Sequence, residues 1–151
     1  TTALCLEWLS REAGPATGIT DYGCGSGVLA IAGLLLGCDQ AWATDIDPQA
    51  LQATHANAEL NHIDPERIQI SLPEHLPAIK TDIVVANILA GPLADLSTTL
   101  TGRVKAGGKI ALSGILLSQT EAILDAYQKD FIFDPLTERE GWVLLSATKK
   151  E

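Results

Sequence analysis

The sequence has 151 residues, of which 46% are hydrophobic and 19% charged, with a formal net charge of −9. That is enough chain for one domain with a real core, and too apolar for a disordered segment. No apolar run reaches the ~18 residues of a membrane span, and the clustered Lys and Arg of a nucleic-acid surface are missing, so neither a membrane nor direct nucleic-acid contact is expected.

Thr1 and Thr2 precede Leu4, Cys5, Trp8 and Leu9, which share one helical face. The pattern predicts a short helix with Thr2 as N-cap, ended by Gly14-Pro15. Gly18 to Tyr22 is the first strand. It runs into Gly23-Cys24-Gly25-Ser26-Gly27 and then an apolar helical run from Val28 to Leu36, with Gly37 as the C′ glycine. The second strand is Ala41 to Ile46. Asp47-Pro48 opens a helix to Leu60, with Asp47 as N-cap and proline at N1. Ile68 to Leu72 is the third strand, and the segment to Pro77 is loop. The unbroken apolar run in Asp82 to Leu89 predicts a strand buried on both faces, stopping at the polar Asn87. Gly91-Pro92 starts a helix with Leu93, Leu96, Leu100 and Val104 on one stripe. Lys105 to Gly108 is a turn and Lys109 to Leu112 a fifth strand. Ser118 and Glu121 make a capping box for a helix to Tyr127. Phe131 to Leu136 and Trp142 to Ala147 read as a hairpin across the polar loop Thr137 to Gly141, giving one antiparallel strand at the edge.

Strands alternating with helices give a mostly parallel, Rossmann-like α/β sheet with helices on both faces. In such sheets ligands sit outside the carboxyl ends of the strands. Gly23, Asp45 and Asn87 lie at the carboxyl ends of strands one, two and four, so three segments converge on one pocket. The glycines at 23, 25 and 27 let the chain turn tightly and a ligand approach bare backbone. A ligand-free structural turn is the alternative. The dinucleotide fingerprint puts its third glycine where Val28 stands. Asp45, about twenty residues past the loop, can accept from ribose hydroxyls of NAD or of S-adenosylmethionine; it has no local duty like that of Asp47. Charge separates the two cofactors. A pyrophosphate calls for cations, whereas Asp21, Asp45 and Asp47 surround this loop and no Lys or Arg occurs between Arg11 and Arg67. A sulfonium and an ammonium suit such a setting.

Three cysteines, Cys5, Cys24 and Cys38, fit neither a disulfide framework nor a zinc site and point to a reducing cytoplasm. No metal is expected. Cys24 has no adjacent base and reads as a packing residue. His55, His62 and His75 read as surface residues, and the three tryptophans as core or interface.

With these residues in view, the chain resembles the class I S-adenosylmethionine-dependent methyltransferases. More narrowly it resembles the ribosomal-protein-L-eleven methyltransferase family (PrmA). The resemblance rests on Thr1 to Leu6, Asp21 to Gly27, Thr44 to Pro48, Asn87-Ile88-Leu89-Ala90 and Leu112-Ser113-Gly114-Ile115-Leu116. It implies a seven-stranded sheet with a C-terminal antiparallel hairpin strand and S-adenosyl-L-methionine as cofactor. Thr2, Asp21, Gly23, Gly25, Gly27, Asp45 and Asn87 then contact the cofactor or shape its pocket. Asn87 and Ile88 are the implied catalytic pair, the Asn side chain and the next carbonyl holding the acceptor nitrogen. The implied reaction moves methyl groups to lysine ε-amines and the N-terminal α-amine of a basic large-subunit ribosomal protein. The family also implies an N-terminal substrate-recognition domain absent from this sequence, which is free of methionine, so residues 1–151 are expected to be the catalytic domain alone, as a monomer. Other acceptors (another protein, a nucleic acid, a small molecule) and a non-catalytic cofactor-binding module are the rival readings.

Overall fold

Alternating strands and helices do build the chain. In a computed structural model, which describes residues 1–151, the strands are β1 (Gly18–Tyr22), β2 (Gln40–Thr44), β3 (Ile68–Ser71), β4 (Thr81–Asn87), β5 (Val104–Leu116), β6 (Phe131–Phe133), β7 (Thr137–Arg139) and β8 (Trp142–Lys149). The α-helices are α1 (Thr2–Glu12), α2 (Val28–Leu35), α3 (Pro48–Leu60), α4 (Ala90–Asp95), α5 (Ser97–Thr101) and α6 (Thr120–Tyr127). The sheet order is β3-β2-β1-β4-β5-β8-β6, with β7 paired to β8 off this path. The path therefore has the expected seven strands, and β7 adds a short ribbon. β1 to β5 run parallel, and β8 is antiparallel to β5.

The apolar run of β4 is buried on both faces, and its residues divide between two cores. Ile83 and Val85 join α1, α2 and α3 through Leu4, Trp8, Leu9, Leu29, Leu34 and Ala58. Val84 and Ala86 face α4, α5 and α6 through Leu93, Leu100, Ile123 and Tyr127. Period-two alternation within an unbroken apolar run is what a central strand between two helical layers needs.

Several boundaries differ from the sequence expectation. Thr1, not Thr2, holds the N-cap position of α1, and no side chain caps it. β2 stops at Thr44, leaving Asp45 and Ile46 beyond the strand. The helix expected to run to Val104 is two short helices broken at Leu96, and the second ends at Thr101 because Val104 is drawn into β5 opposite Thr81. The Lys105 to Gly108 turn survives as a bulge inside β5, between the pairs Thr81↔Val104 and Ile83↔Lys109. The Ser118–Glu121 capping box does not form. Ser118 lies in a single turn before α6, and the Gln119 side chain accepts from Leu116 N–H at 2.9 Å instead. The C-terminal hairpin is β7–β8, closed by Glu140 and Gly141 at φ 55° and 84°. Its antiparallel strand β8 is not at the edge but between β5 and β6, because β6 pairs along its far side.

Candidate active site

The carboxyl ends of β1, β2 and β4 lie side by side, and the loops leaving them form the site. Gly23 N–H and Cys24 N–H both donate to the Thr44 carbonyl, at 2.8 and 2.9 Å, so the glycine loop is pinned to the end of β2. Gly23, Gly25 and Gly27 have φ of 79°, 54° and 80°. They are glycines for two reasons. A Cβ on Gly23 would lie 2.5 Å from Ile88 Cγ2, and one on Gly27 2.5 Å from Thr54 Cγ2. At Gly25 a Cβ would meet nothing within 4 Å, so its backbone borders open space that a ligand can enter.

Two residues of α3 brace the loop from below. Buried Thr54 donates to the Gly25 carbonyl at 3.0 Å, and Asn57 Nδ2 donates to the Ser26 carbonyl at 2.8 Å. Sequence reasoning did not single out either. The available signal was a pair of polar residues one helical turn apart on an inward face.

The acidic residues take different positions. Asp47 caps α3 as expected, accepting from Gln49 N–H at 2.9 Å ahead of Pro48. Asp45 does carry local duties, contrary to expectation: Oδ2 accepts from Gly25 N–H at 2.9 Å and Oδ1 from Asp47 N–H at 3.0 Å. Each oxygen keeps a lone pair, so the half-buried carboxylate can still accept from a ligand hydroxyl. Asp21 is 1% exposed beneath the loop, and accepts from Ala30 N–H at 3.1 Å. It caps the first turn of α2 from a neighbouring strand, a placement that suits both free helical donors and the helix dipole. Burial pushes its pKa up to about 7, against the pull of the Ala30 hydrogen bond; nearby Asp45 pushes the same way. Burial likewise pushes the Cys24 thiol up to about 12, so it stays neutral, as its packing role requires. Thr44 and Ser71, opposite each other at the ends of β2 and β3, bury hydroxyl oxygens that have no hydrogen-bond partner.

Asn87 ends β4, half-buried, with Nδ2 donating to Thr2 Oγ1 at 3.3 Å. The first turn of α1 is thus brought to the carboxyl end of β4. Here a cleft of about 340 Å³ is lined by Thr1, Asn87, Ile88, Leu89, Gly114 and Trp142. No ionisable side chain lines it. Leu89 is 70% exposed and Trp142 39%, so the rim is apolar. Trp8 and Trp42 fit the expected structural roles, but Trp142 stands at this mouth. The three histidines are all exposed and none lines this cleft.

The sequence profile of the family described as "Ribosomal protein L11 methyltransferase (PrmA)" matches residues 1–150. The chain belongs to this family. The Ribosomal protein L11 methyltransferase of Marinomonas sp. (strain MWYL1) is 54% identical over 149 residues, which is 99% of this chain and 50% of that protein. That of Pseudomonas aeruginosa (strain LESB58) is 53% identical over 150 residues, 99% of this chain and 51% of the relative. This PrmA-family chain therefore spans about half the length of the curated relatives it matches. The crystal structure of ribosomal protein L11 methylase from Lactobacillus delbrueckii subsp. bulgaricus superposes with a TM-score of 0.86 at 32% identity, covering 99% of this chain and 79% of that one. An RNA methyltransferase from Salinibacter ruber, solved with S-adenosyl-L-homocysteine, superposes at 0.77 with 14% identity over 100% of this chain and 94% of that one, a likeness of fold. The chain accordingly has the Rossmann-like methyltransferase fold.

Proposed function

We propose that this chain is the catalytic unit of an S-adenosylmethionine-dependent protein N-methyltransferase. Its substrates are lysine ε-amines and the N-terminal α-amine of a basic large-subunit ribosomal protein. The observation that carries the reading is the neighbourhood of two unlike half-sites. An acidic, cation-free cradle lies beside a strand-end amide that opens into an apolar cleft. The donor set fits the cofactor. Open backbone at Gly25 admits it, Asp45 can accept from its ribose, and the unpartnered Thr44 and Ser71 hydroxyls offer polar contacts at the strand ends. The acidic surroundings favour its cationic groups over a pyrophosphate. Asp21 and Gly27 act one layer down, Asp21 by holding the start of α2 and Gly27 by making room for Thr54. The family membership and the names of the relatives support the same cofactor and the same substrate class.

When bound, S-adenosylmethionine supplies a methyl carbon already activated by its sulfonium. The protein contributes orientation and dryness. A free lysine amine has a pKa of ~10.4 and attacks only when neutral. The rim of Ile88, Leu89 and Trp142 disfavours the ammonium form by desolvation. Asn87 Oδ1 and the Ile88 carbonyl accept from the amine N–H groups and aim the lone pair at the methyl carbon. With the cofactor bound, transfer would form the N–C bond as the cofactor's C–S bond breaks, and the open mouth would let the proton released from nitrogen pass to solvent. Thr2 fixes the Asn87 rotamer by occupying Nδ2, which turns Oδ1 to the acceptor. A cleft of about 340 Å³ leaves room for the amine to rotate between successive methylations. The net charge of −9 suits a basic protein partner.

The test is calorimetric titration of the chain with S-adenosylhomocysteine and with NADH, repeated on Asp45→Ala. Micromolar binding of the thioether, weakened at least tenfold in the variant, with no heat from NADH, is the expected result. Binding of NADH, or of neither compound, would overturn the cofactor assignment.

A further inference from the structure

We infer that Gly114 is a positioning residue for methyl transfer: it holds the Ile88 peptide at the acceptor side by leaving it the space a side chain would fill. The inference rests on the methyltransferase reading above. Gly114 lies in β5, remote in sequence from both the glycine loop and the Asn87 strand end. A Cβ there would lie 2.3 Å from the Ile88 carbonyl oxygen, 2.9 Å from its carbon and 3.2 Å from its nitrogen. No other glycine meets backbone so closely; Gly108 comes next, at 2.9 Å from two carbonyl oxygens. The carbonyl so enclosed is the one proposed to accept from the substrate amine, and both residues line the same cleft.

The strand is shaped for this contact. Asn87 pairs with Ser113, and the register of β5 against β8 breaks between Leu112 and Ile115. Buried Ser113 donates to the Val143 carbonyl at 3.0 Å within that break. Gly114 follows at φ 86°, so its main chain turns against Ile88. On its other side Ile88 presents Cγ2 to Gly23. The Ile88 residue is thus set from two directions, by its side chain against the cofactor loop and by its peptide against β5. An alanine at 114 forces the Ile88 carbonyl back by about 1 Å to regain van der Waals contact. A displacement of that size at a reacting group is worth about 10²-fold in rate.

Gly107 supplies the control. It lies in the same strand at φ 78°, and a Cβ there meets only the Glu151 side chain, at 3.2 Å. Gly107→Ala therefore bears the same backbone strain without touching Ile88. Methyl transfer from S-adenosylmethionine to a purified basic large-subunit ribosomal protein is measured in single turnovers at saturating cofactor for wild type, Gly114→Ala and Gly107→Ala. Affinity for S-adenosylhomocysteine is measured on the same proteins. The expected result is a rate lowered about 100-fold in Gly114→Ala, with cofactor affinity within about threefold of wild type and Gly107→Ala near wild type in both. A Gly114→Ala rate within threefold of wild type, or an equal loss in Gly107→Ala, overturns the inference.

A second measurement reads the contact without turnover. The Ile88 carbonyl ¹³C resonance of the S-adenosylhomocysteine-saturated wild type is followed during titration with n-butylamine, a lysine side-chain analogue. A saturable shift, absent in a folded Gly114→Ala, supports the positioning role; an unmoved resonance in the wild type overturns it. Should the wild type bind no S-adenosylhomocysteine, the function reading fails by itself, a result distinct from any difference between the two alanine variants.

Discussion

Replacing Asp21 by asparagine should change how stability depends on pH, and the structure sets the size of the change. The carboxyl group is 1% exposed and bonded only to Ala30 N–H, an interaction an asparagine oxygen can keep. Burial raises its pKa from 3.8 to about 7. The folded chain therefore holds a proton that the unfolded chain releases. The stabilisation this brings is complete below the unfolded value and is lost as pH rises through the folded one. Between pH 5 and the folded pKa the loss runs at about 1.4 kcal/mol per pH unit, which amounts to about 3 kcal/mol by pH 8. Asparagine does not titrate, so all of this belongs to the wild type. Urea unfolding of both proteins at pH 5, 6, 7 and 8 isolates it, because every other titrating group cancels in the difference. The variant should gain about 3 kcal/mol on the wild type over that range, with unchanged m-values. Parallel curves would refute the reasoning, and would mean that the carboxylate is already charged at pH 5 and held by the start of α2.

Other substitutions separate the two halves of the site. If Asn87 has the orienting role proposed above, Asn87→Ala should lower single-turnover methyl transfer by about 10²- to 10³-fold while S-adenosylhomocysteine affinity stays within about threefold; equal losses in both would count against that role. Thr2→Ala frees the Asn87 amide to rotate and should cost about tenfold in rate, read in the same assay. Thr54→Val removes the donor to the Gly25 carbonyl, and should destabilise the chain by about 1–2 kcal/mol in denaturant unfolding and weaken thioether binding with it.

Sequence patterns revealed the features whose causes are local. Asp47-Pro48 announces its helix because cap and proline act within three residues, and α3 begins where they say. The glycine loop and the polar stop at Asn87 mark strand ends in any parallel α/β chain, so the convergence of β1, β2 and β4 was legible. What escaped has its cause elsewhere in the chain. Thr54 and Asn57 brace a loop about thirty residues earlier, and nothing in α3 alone says what they face. Asp21 looks like a pocket carboxylate until its distance to Ala30 is known. Asp45 appeared free because its partner Gly25 lies on another loop. Gly114 is one glycine among 13 until the Ile88 peptide is seen against it. The β7–β8 turn is written locally in Glu140-Gly141, yet the place of β8 in the sheet is decided by pairing with β5, more than 25 residues away.

That place has a consequence for synthesis. Because β8 lies between β5 and β6, a strand made after both of them fills an interior gap and does not extend a border. Until Trp142 to Lys149 have emerged from the ribosome, β5 presents Lys109 to Leu116 with one side unpaired, and β6 has no neighbour at all. A long open strand of that kind is a template for pairing with other nascent chains. Gly23 to Gly27 and Asp45 are made before β4, whereas the cleft beside Asn87 waits for Trp142. Nascent chains stalled before β8 are therefore expected to be the aggregation-prone species, and the last eight strand residues to act as a latch on the whole sheet.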